Sequence, residues 1–277
     1  MQLSMENIGR LREMLAVPSK IVVVAHTNPD GDAVGSSLAW REMLLRMGHE
    51  VTCVVPNKYP YFLDWMPGIE NIVIFKTDTE GRARRAVEQA DMIFCLDFNT
   101  LSRLEILSDT IAANTSARRI LIDHHLSPGE EFDLVFSHPE MSSTSFLVYS
   151  IIEAMEGTDA ISADVAASLY VGMMTDTGNF SFSTLTPALY RAVAVLAEKG
   201  IDIPQIHNNV YNAYTEGRAR LFGYAINRKM EIIHDGQVAY MSLLENEMRR
   251  FGFQQGDSEG FVNYALTIKK MKMSAMF

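Results

Sequence analysis

Five short apolar runs, each followed by a segment of helical periodicity or a polar loop, constrain this 277-residue chain more than any other feature. They cover Ile21 to His26, Val51 to Pro56, Asn71 to Phe75, Met92 to Asp97 and Arg119 to His124. Their near-continuous apolar character predicts strands buried on both faces. Between them, Ser36 to Met47 has helical spacing and closes at Gly48, and Thr79 to Gln89 and Leu101 to Ala113 read as crossover helices. The expected fold class is α/β: a doubly wound parallel sheet, followed by a second, smaller α/β domain.

The N-terminal dozen residues read as an amphipathic helix with Ile8, Leu11 and Leu15 on one face, and no signal peptide is recognised there. From Thr144 the chain turns helical through SFLVYSIIEAM, SADVAASLYVGMMTD and PALYRAVAVLAEKG. Ser142, Ser143 and Thr144 precede the first of these helices, where they would either cap it or touch a substrate. The polar, proline-bearing segment Gly200 to Val210 places the domain boundary, giving a first domain over 1–205 and a second over 206–277. In the second, Arg218 to Arg228 and Glu245 to Phe251 are helix-like, and His234-Asp235-Gly236 is a turn between two strands. The final MKMSAMF alternates like a strand and stops without turn or cap. The expectation is that the chain continues past Phe277 or that the second domain is incomplete.

Composition excludes several classes of function. The formal charge of −10 argues against a binder of long nucleic acid, which requires a basic footprint. No window approaches the ~18 apolar residues of a membrane span. A cytoplasmic location is expected. The two cysteines, Cys53 and Cys95, sit in apolar strand-like runs and read as buried reduced thiols.

Ligands of open parallel sheets bind at the carboxyl ends of the strands. There the first strand ends in His26 and runs into a loop carrying Asp30 and Asp32. A second strand ends in Asp97, and a third in Asp123-His124-His125. A fourth acidic residue, Asp176, closes SLYVGMMTD. Each piece alone is an ordinary turn or cap. Together they bring Asp30, Asp32, Asp97 and Asp176 to one place, where like charges repel unless cations intervene. Two divalent cations would neutralise them. The oxygen and imidazole donor set suits Mn²⁺, with Mg²⁺, Fe²⁺, Co²⁺ or Zn²⁺ compatible, and the lack of cysteine argues against structural zinc. Chelation is expected to lower the melting temperature.

His26-Thr27-Asn28-Pro29-Asp30-Gly31-Asp32, Asp97, Asp123-His124-His125 and Thr175-Asp176-Thr177-Gly178 resemble, in order, the four motifs of the DHH phosphoesterase superfamily. The resemblance covers about residues 15 to 210 and is most like the small bacterial oligoribonuclease/pAp phosphatase branch. It implies that His26, Asp30 and Asp97 hold one metal, that Asp32, Asp97, His124 and Asp176 hold the other, and that Asp97 bridges. It further implies that His125 faces the phosphate and assists the leaving oxygen, with Asp123 orienting a neighbouring histidine and water attacking phosphorus. Gly35 and Ser36, read as helix entry, would offer N–H groups to a phosphate or simply start the helix. A DHHA1-type second domain is implied, although its GGGH-type loop does not occur among these residues.

The implied activity is hydrolysis of short oligoribonucleotides to 5′-mononucleotides and of pAp to AMP. Such substrates are compatible with an acidic surface, and a homodimer is compatible with the sequence. Exopolyphosphatase or inorganic pyrophosphatase is the enzymatic alternative. A non-catalytic metal- and nucleotide-binding regulatory protein is the alternative from another class.

Overall fold

The computed structural model describes residues 3–182 and 185–277. Six parallel strands form its main sheet: β1 (Lys20–Ala25), β2 (Glu50–Val55), β3 (Ile72–Ile74), β4 (Met92–Leu96), β5 (Arg118–Asp123) and β6 (Leu134–Ser137). Their order is β3-β2-β1-β4-β5-β6. The order reverses between β1 and β4, so the crevice of a doubly wound sheet falls at the ends of these two strands.

Helices cover both faces: α1 (Met5–Met14), α2 (Gly31–Arg46), α3 (Arg82–Gln89), α4 (Ser108–Ala113), α5 (Thr144–Glu156), α6 (Ala163–Asp176) and α7 (Pro187–Glu198). On one face Val22, Val24, Ile93, Cys95 and Leu121 pack with Ala83 and Val87 of α3 and Ile111 of α4. On the other, Trp40 of α2 meets Phe94 of β4 edge-on at 5.5 Å. Alternate strand residues therefore feed two apolar layers, as the continuous apolar runs require. Cys53 and Cys95 are buried free thiols. Among the described residues no helix is long and apolar enough to cross a membrane.

Two elements depart from the expectation. The strand β6 has no counterpart among the five predicted runs. It is a four-residue edge strand that buries only alternate side chains, so it lacks the uninterrupted apolar run of the central strands. Helix α2 begins at Gly31 rather than Ser36, because the Asp30 side chain caps it by accepting from the N–H groups of Asp32 and Ala33. Glycines argue against a helix interior by propensity. Here they allow close packing: a Cβ on Gly35 would run into the Ser168 carbonyl oxygen of α6, and one on Gly31 into Thr175.

The chain divides into one unit of residues 1–59 and 63–206 and another of 60–62 and 207–277, with α8 (Ile203–His207) at the division. The second unit holds α9 (Glu216–Tyr224), β7 (Glu231–Ile233), β8 (Val238–Met241), α10 (Glu245–Arg250), α11 (Phe261–Ala265) and β9 (Met273–Met276). Its sheet has the order β7-β8-β9, antiparallel then parallel. Leu221, Ala239, Met241, Phe261 and Ala265 form its core.

Candidate metal centre

The first turn after β1 starts the site. His26 Nδ1 lies 2.8 Å from the Thr27 carbonyl oxygen, which only accepts, so Nδ1 carries the proton and donates. Nε2 is left facing Asp97 Oδ2 at 3.5 Å. Asp97 follows β4 with φ of +65°, a left-handed backbone unusual for a residue with a side chain. Its N–H donates to the Ile122 carbonyl at 3.1 Å, tying this turn to β5.

His124, just after β5, repeats the arrangement of His26. Its Nδ1–H donates to the Met141 carbonyl at 3.2 Å. Its Nε2 faces three carboxylates, Asp176 Oδ2 at 3.4 Å, Asp97 Oδ1 at 3.6 Å and Asp32 Oδ2 at 4.0 Å. Asp97 thus presents one oxygen to each histidine.

Long-range packing supplies the rest. The N-terminus of α5 aims two N–H groups at Asp32: Thr144 donates to Oδ2 at 2.6 Å and Ser145 to Oδ1 at 2.8 Å. A helix N-terminus favours a carboxylate there. The Thr144 hydroxyl donates to Asp97 Oδ1 at 2.9 Å. Asp176 is the last residue of α6, where the helix dipole disfavours an anion and favours a cation. Gly172 keeps α6 clear of this corner, since a Cβ would strike Ser145 Oγ and approach Asp32 Oδ1.

Electrostatics follows from burial. Removal from water pushes the Asp32 carboxyl well above its ordinary range, with Asp97 and Asp176 adding to the effect. Burial likewise raises Asp30, and it raises Asp176 to about 7 although His124 opposes it. Burial works against charging His26, but its contact with Asp97 prevails and lifts it to about 9. Burial would raise Asp97 too; the surrounding histidines, His26 first, hold it below the ordinary value. Without other cations the cluster must therefore keep protons to tolerate its own charge.

The donor set fits divalent cations. His26, Asp30 and Asp97 form one group and Asp32, His124 and Asp176 another, each with ligand atoms within 4.8 Å of one another. Both imidazoles turn Nε2 towards carboxylate oxygens, an arrangement that needs a proton or a cation between the two. Backbone carbonyls fix both rings through Nδ1, as metal-binding histidines require.

His125 differs from both. Its Nδ1 lies 2.7 Å from Oδ1 of the fully buried Asp123, which raises its pKa. Its side chain remains 43% exposed. Of the other sequence candidates, Ser143 caps α5 by accepting from the Phe146 N–H at 3.0 Å. Ser36 is buried and donates back to the Asp32 carbonyl at 2.7 Å, and Gly35 packs against α6. Both lie inside α2, which places them in helix packing rather than helix entry. The sequence reading missed the hydroxyl of Thr144 as a partner of Asp97, the N–H of Ser145 and the clearance at Gly172. The signal available was a Ser-Ser-Thr-Ser run before a helix and a lone glycine four residues before Asp176.

Residues 20–173 match the DHH family, N-terminal domain. The chain belongs to the DHH family. Among solved structures it resembles an exopolyphosphatase-related protein from Bacteroides fragilis, with 41% identity and a TM-score of 0.91 over 97% of this chain and 78% of that one. An uncharacterised protein of Mycoplasma pneumoniae is 27% identical over 88% of this chain and 70% of its own length. The bifunctional oligoribonuclease and PAP phosphatase NrnA of Thermus thermophilus is 28% identical over 73% of this chain. The matched region spans 57% of that relative's length.

Proposed function

We propose that this DHH-family protein is a phosphohydrolase dependent on two divalent cations, Mn²⁺ first among them, that cleaves short oligoribonucleotides to 5′-mononucleotides and converts pAp to AMP. The observation that carries the reading is the position of Asp97, with one oxygen towards the His26–Asp30 group and the other towards the His124 group. His26, Asp30 and Asp97 would hold one cation, and Asp32, Asp97, His124 and Asp176 the other. Bound there, the pair would offset charge on phosphoryl oxygens and make an attacking water more acidic.

The chain's own groups supply orientation and a proton. Thr144 fixes Asp97, and the α5 N–H groups fix Asp32, so neither carboxylate needs to reorganise on binding. Asp123 stabilises a protonated His125 from behind, while the exposed side of the ring can meet a phosphoryl oxygen or protonate the leaving oxygen. Buried Asp123 acts as an orienting partner, not as an acid or base of its own.

A second reading is hydrolysis of phosphoanhydrides, as in an exopolyphosphatase or pyrophosphatase. The 41% identity to the exopolyphosphatase-related structure supports it. The deciding experiment measures Mn²⁺-dependent AMP release from pApA, beside pAp, pyrophosphate and polyphosphate, in the natural protein and in Asp97→Ala. Release from pApA that vanishes in the variant is the expected result. Turnover of pyrophosphate or polyphosphate alone would transfer the assignment to the second reading, and absence of all turnover with metal bound would favour a regulatory binding protein.

A further inference from the structure

Beside the metal-bearing edge, within the first unit, lies a cavity of about 200 Å³ lined by Thr27, Asn28, Asn57, Lys76, Glu105 and Ile106, among others. Its walls are the loops after β1 and β2, the helical turn after β3, and the helical turns that follow β4. Thr27 and Asn28 directly follow His26, and the Thr27 N–H donates to the Arg103 carbonyl at 2.9 Å, joining the two loops that deliver His26 and Asp97. The cavity therefore continues the metal centre along the same sheet edge, towards β3.

We infer that this cavity receives one ribose phosphate unit of the substrate, next to the phosphate at the metal centre. The inference rests on the nucleotide reading of the site and sharpens it. In a chain of net charge −10, Lys76 is exposed and its ammonium has no ion-pair partner among the described residues. Such a cation suits a phosphate. Glu105, in the same lining, only accepts when ionised; it repels a bare polyanion but accepts from sugar hydroxyls. Lysine and carboxylate together select a group carrying both phosphate and hydroxyls.

Asn28 and Asn57 are locked to each other. The Asn28 N–H donates to Asn57 Oδ1 at 2.7 Å, and Asn57 Nδ2 donates to Asn28 Oδ1 at 2.8 Å and to the Lys58 carbonyl at 3.5 Å, leaving the Asn28 side-chain N–H groups for a ligand. Two lining residues hold left-handed backbones, Asn28 at φ +57° and Glu105 at φ +44°, ψ −111°. Strain of this kind persists where the surroundings fix it, and it concentrates at ligand sites. Ile106, 52% exposed, adds an apolar ledge. The volume lies below the 300–1,000 Å³ of sites that enclose a whole drug-sized ligand. It suits one sugar phosphate, not a dinucleotide.

The test uses Lys76→Ala and Glu105→Gln, both at exposed positions, with folding checked by melting temperature. With Mn²⁺ present, kcat/KM is measured for pApA, for its 2′-deoxy counterpart and for bis(p-nitrophenyl) phosphate, which lacks sugar. Lys76→Ala should lower the pApA to bis(p-nitrophenyl) phosphate ratio about tenfold, the worth of one charge-assisted hydrogen bond. Glu105→Gln should shrink the preference for ribose over deoxyribose. A second readout is calorimetric titration of AMP into Asp97→Ala, with and without Lys76→Ala, where binding should weaken about tenfold. If pApA is hydrolysed but neither variant moves its ratio by twofold, the cavity assignment falls while the nucleotide reading stands. If pApA is not hydrolysed at all, the nucleotide reading falls. AMP binding then decides the cavity: dependence on Lys76 upholds it, and independence overturns it.

Discussion

The two halves of the candidate metal centre are built in opposite ways. The His26–Asp30 half is local apart from Asp97: its other two candidate ligands, its tautomer-fixing carbonyl and its capping bonds come from residues 26 to 33. The Asp32–His124–Asp176 half is assembled from distant segments. Asp32 on α2 is held by the N-terminus of α5, His124 by the carbonyl of Met141, and Asp176 arrives on α6 only because Gly172 and Gly35 let α2 and α6 approach. A short loop places two of the three candidate ligands of one group, whereas the other group depends on the packing of three helices. Damage to helix packing should therefore fall on one half and spare the other.

Asp97 is the exception that joins them, and its removal should have the largest effect. Asp97→Ala withdraws a carboxylate from both groups, and phosphohydrolase activity should fall by about a thousandfold or more, since several kcal/mol of charge stabilisation are lost. Kinetics with pApA and calorimetric titration of Mn²⁺ would measure this. Retained activity would show that the two groups do not act together. Gly172→Ala should then separate the halves. Overpacking of this order costs about 1–3 kcal/mol and lowers the melting temperature by several degrees. Because the added methyl meets Ser145 and Asp32, titration should lose the Asp32-side cation and keep the other. Equal loss at both sites would refute the asymmetry.

The same division explains what the sequence disclosed. The strands β1, β4 and β5, which deliver His26, Asp97 and Asp123 to His125, were legible because a strand buried on both faces is a continuous apolar run, and because polar groups at its end are conspicuous. The loop from Asp30 to Asp32 was legible for the same reason. Helix α2 was read too short, because Gly31 and Gly35 look like turn residues until α6 lies against them. The bond from Thr144 to Asp97 spans 47 residues and that from its N–H to Asp32 spans 112. No local pattern encodes such partners; only the packing of α5 against the sheet does. The edge strand β6 escaped because half of its side chains are not buried and its apolar run is broken.

A smaller perturbation probes the link that Thr144 makes between the halves. Thr144→Val keeps the shape of the side chain and the N–H bond to Asp32 but removes the hydroxyl from Asp97. Loss of a partner that orients a metal-binding residue typically weakens metal affinity about 10–100-fold. The variant should lie at the lower end, since Asp97 keeps its contacts to the histidines. Mn²⁺ titration measures it, and an unchanged affinity would reduce Thr144 to a helix-packing residue.

The smallest effect expected is in pH, and its sign distinguishes the metal-free from the loaded protein. Asp176 titrates at about 7 in the folded state against 3.8 ordinarily, so the folded protein holds a proton that the unfolded chain releases. The associated stability is full below about pH 4 and is lost as pH rises through 7. His26, lifted from 6.5 to about 9, contributes fully below 6.5 and loses its contribution as pH rises through 9. Asp97 has the opposite sign, but its depressed value acts only in acid, outside this window. With chelator, the melting temperature should therefore rise by roughly a few degrees from pH 9 to pH 6. With Mn²⁺, protons compete with the cations for the same oxygens and nitrogens, so the melting temperature should fall over the same interval. Scanning calorimetry at three pH values, with and without Mn²⁺, reads both slopes. Parallel curves would mean that the carboxylates and histidines are not what the cations bind, and would break the comparison of the two halves at its root.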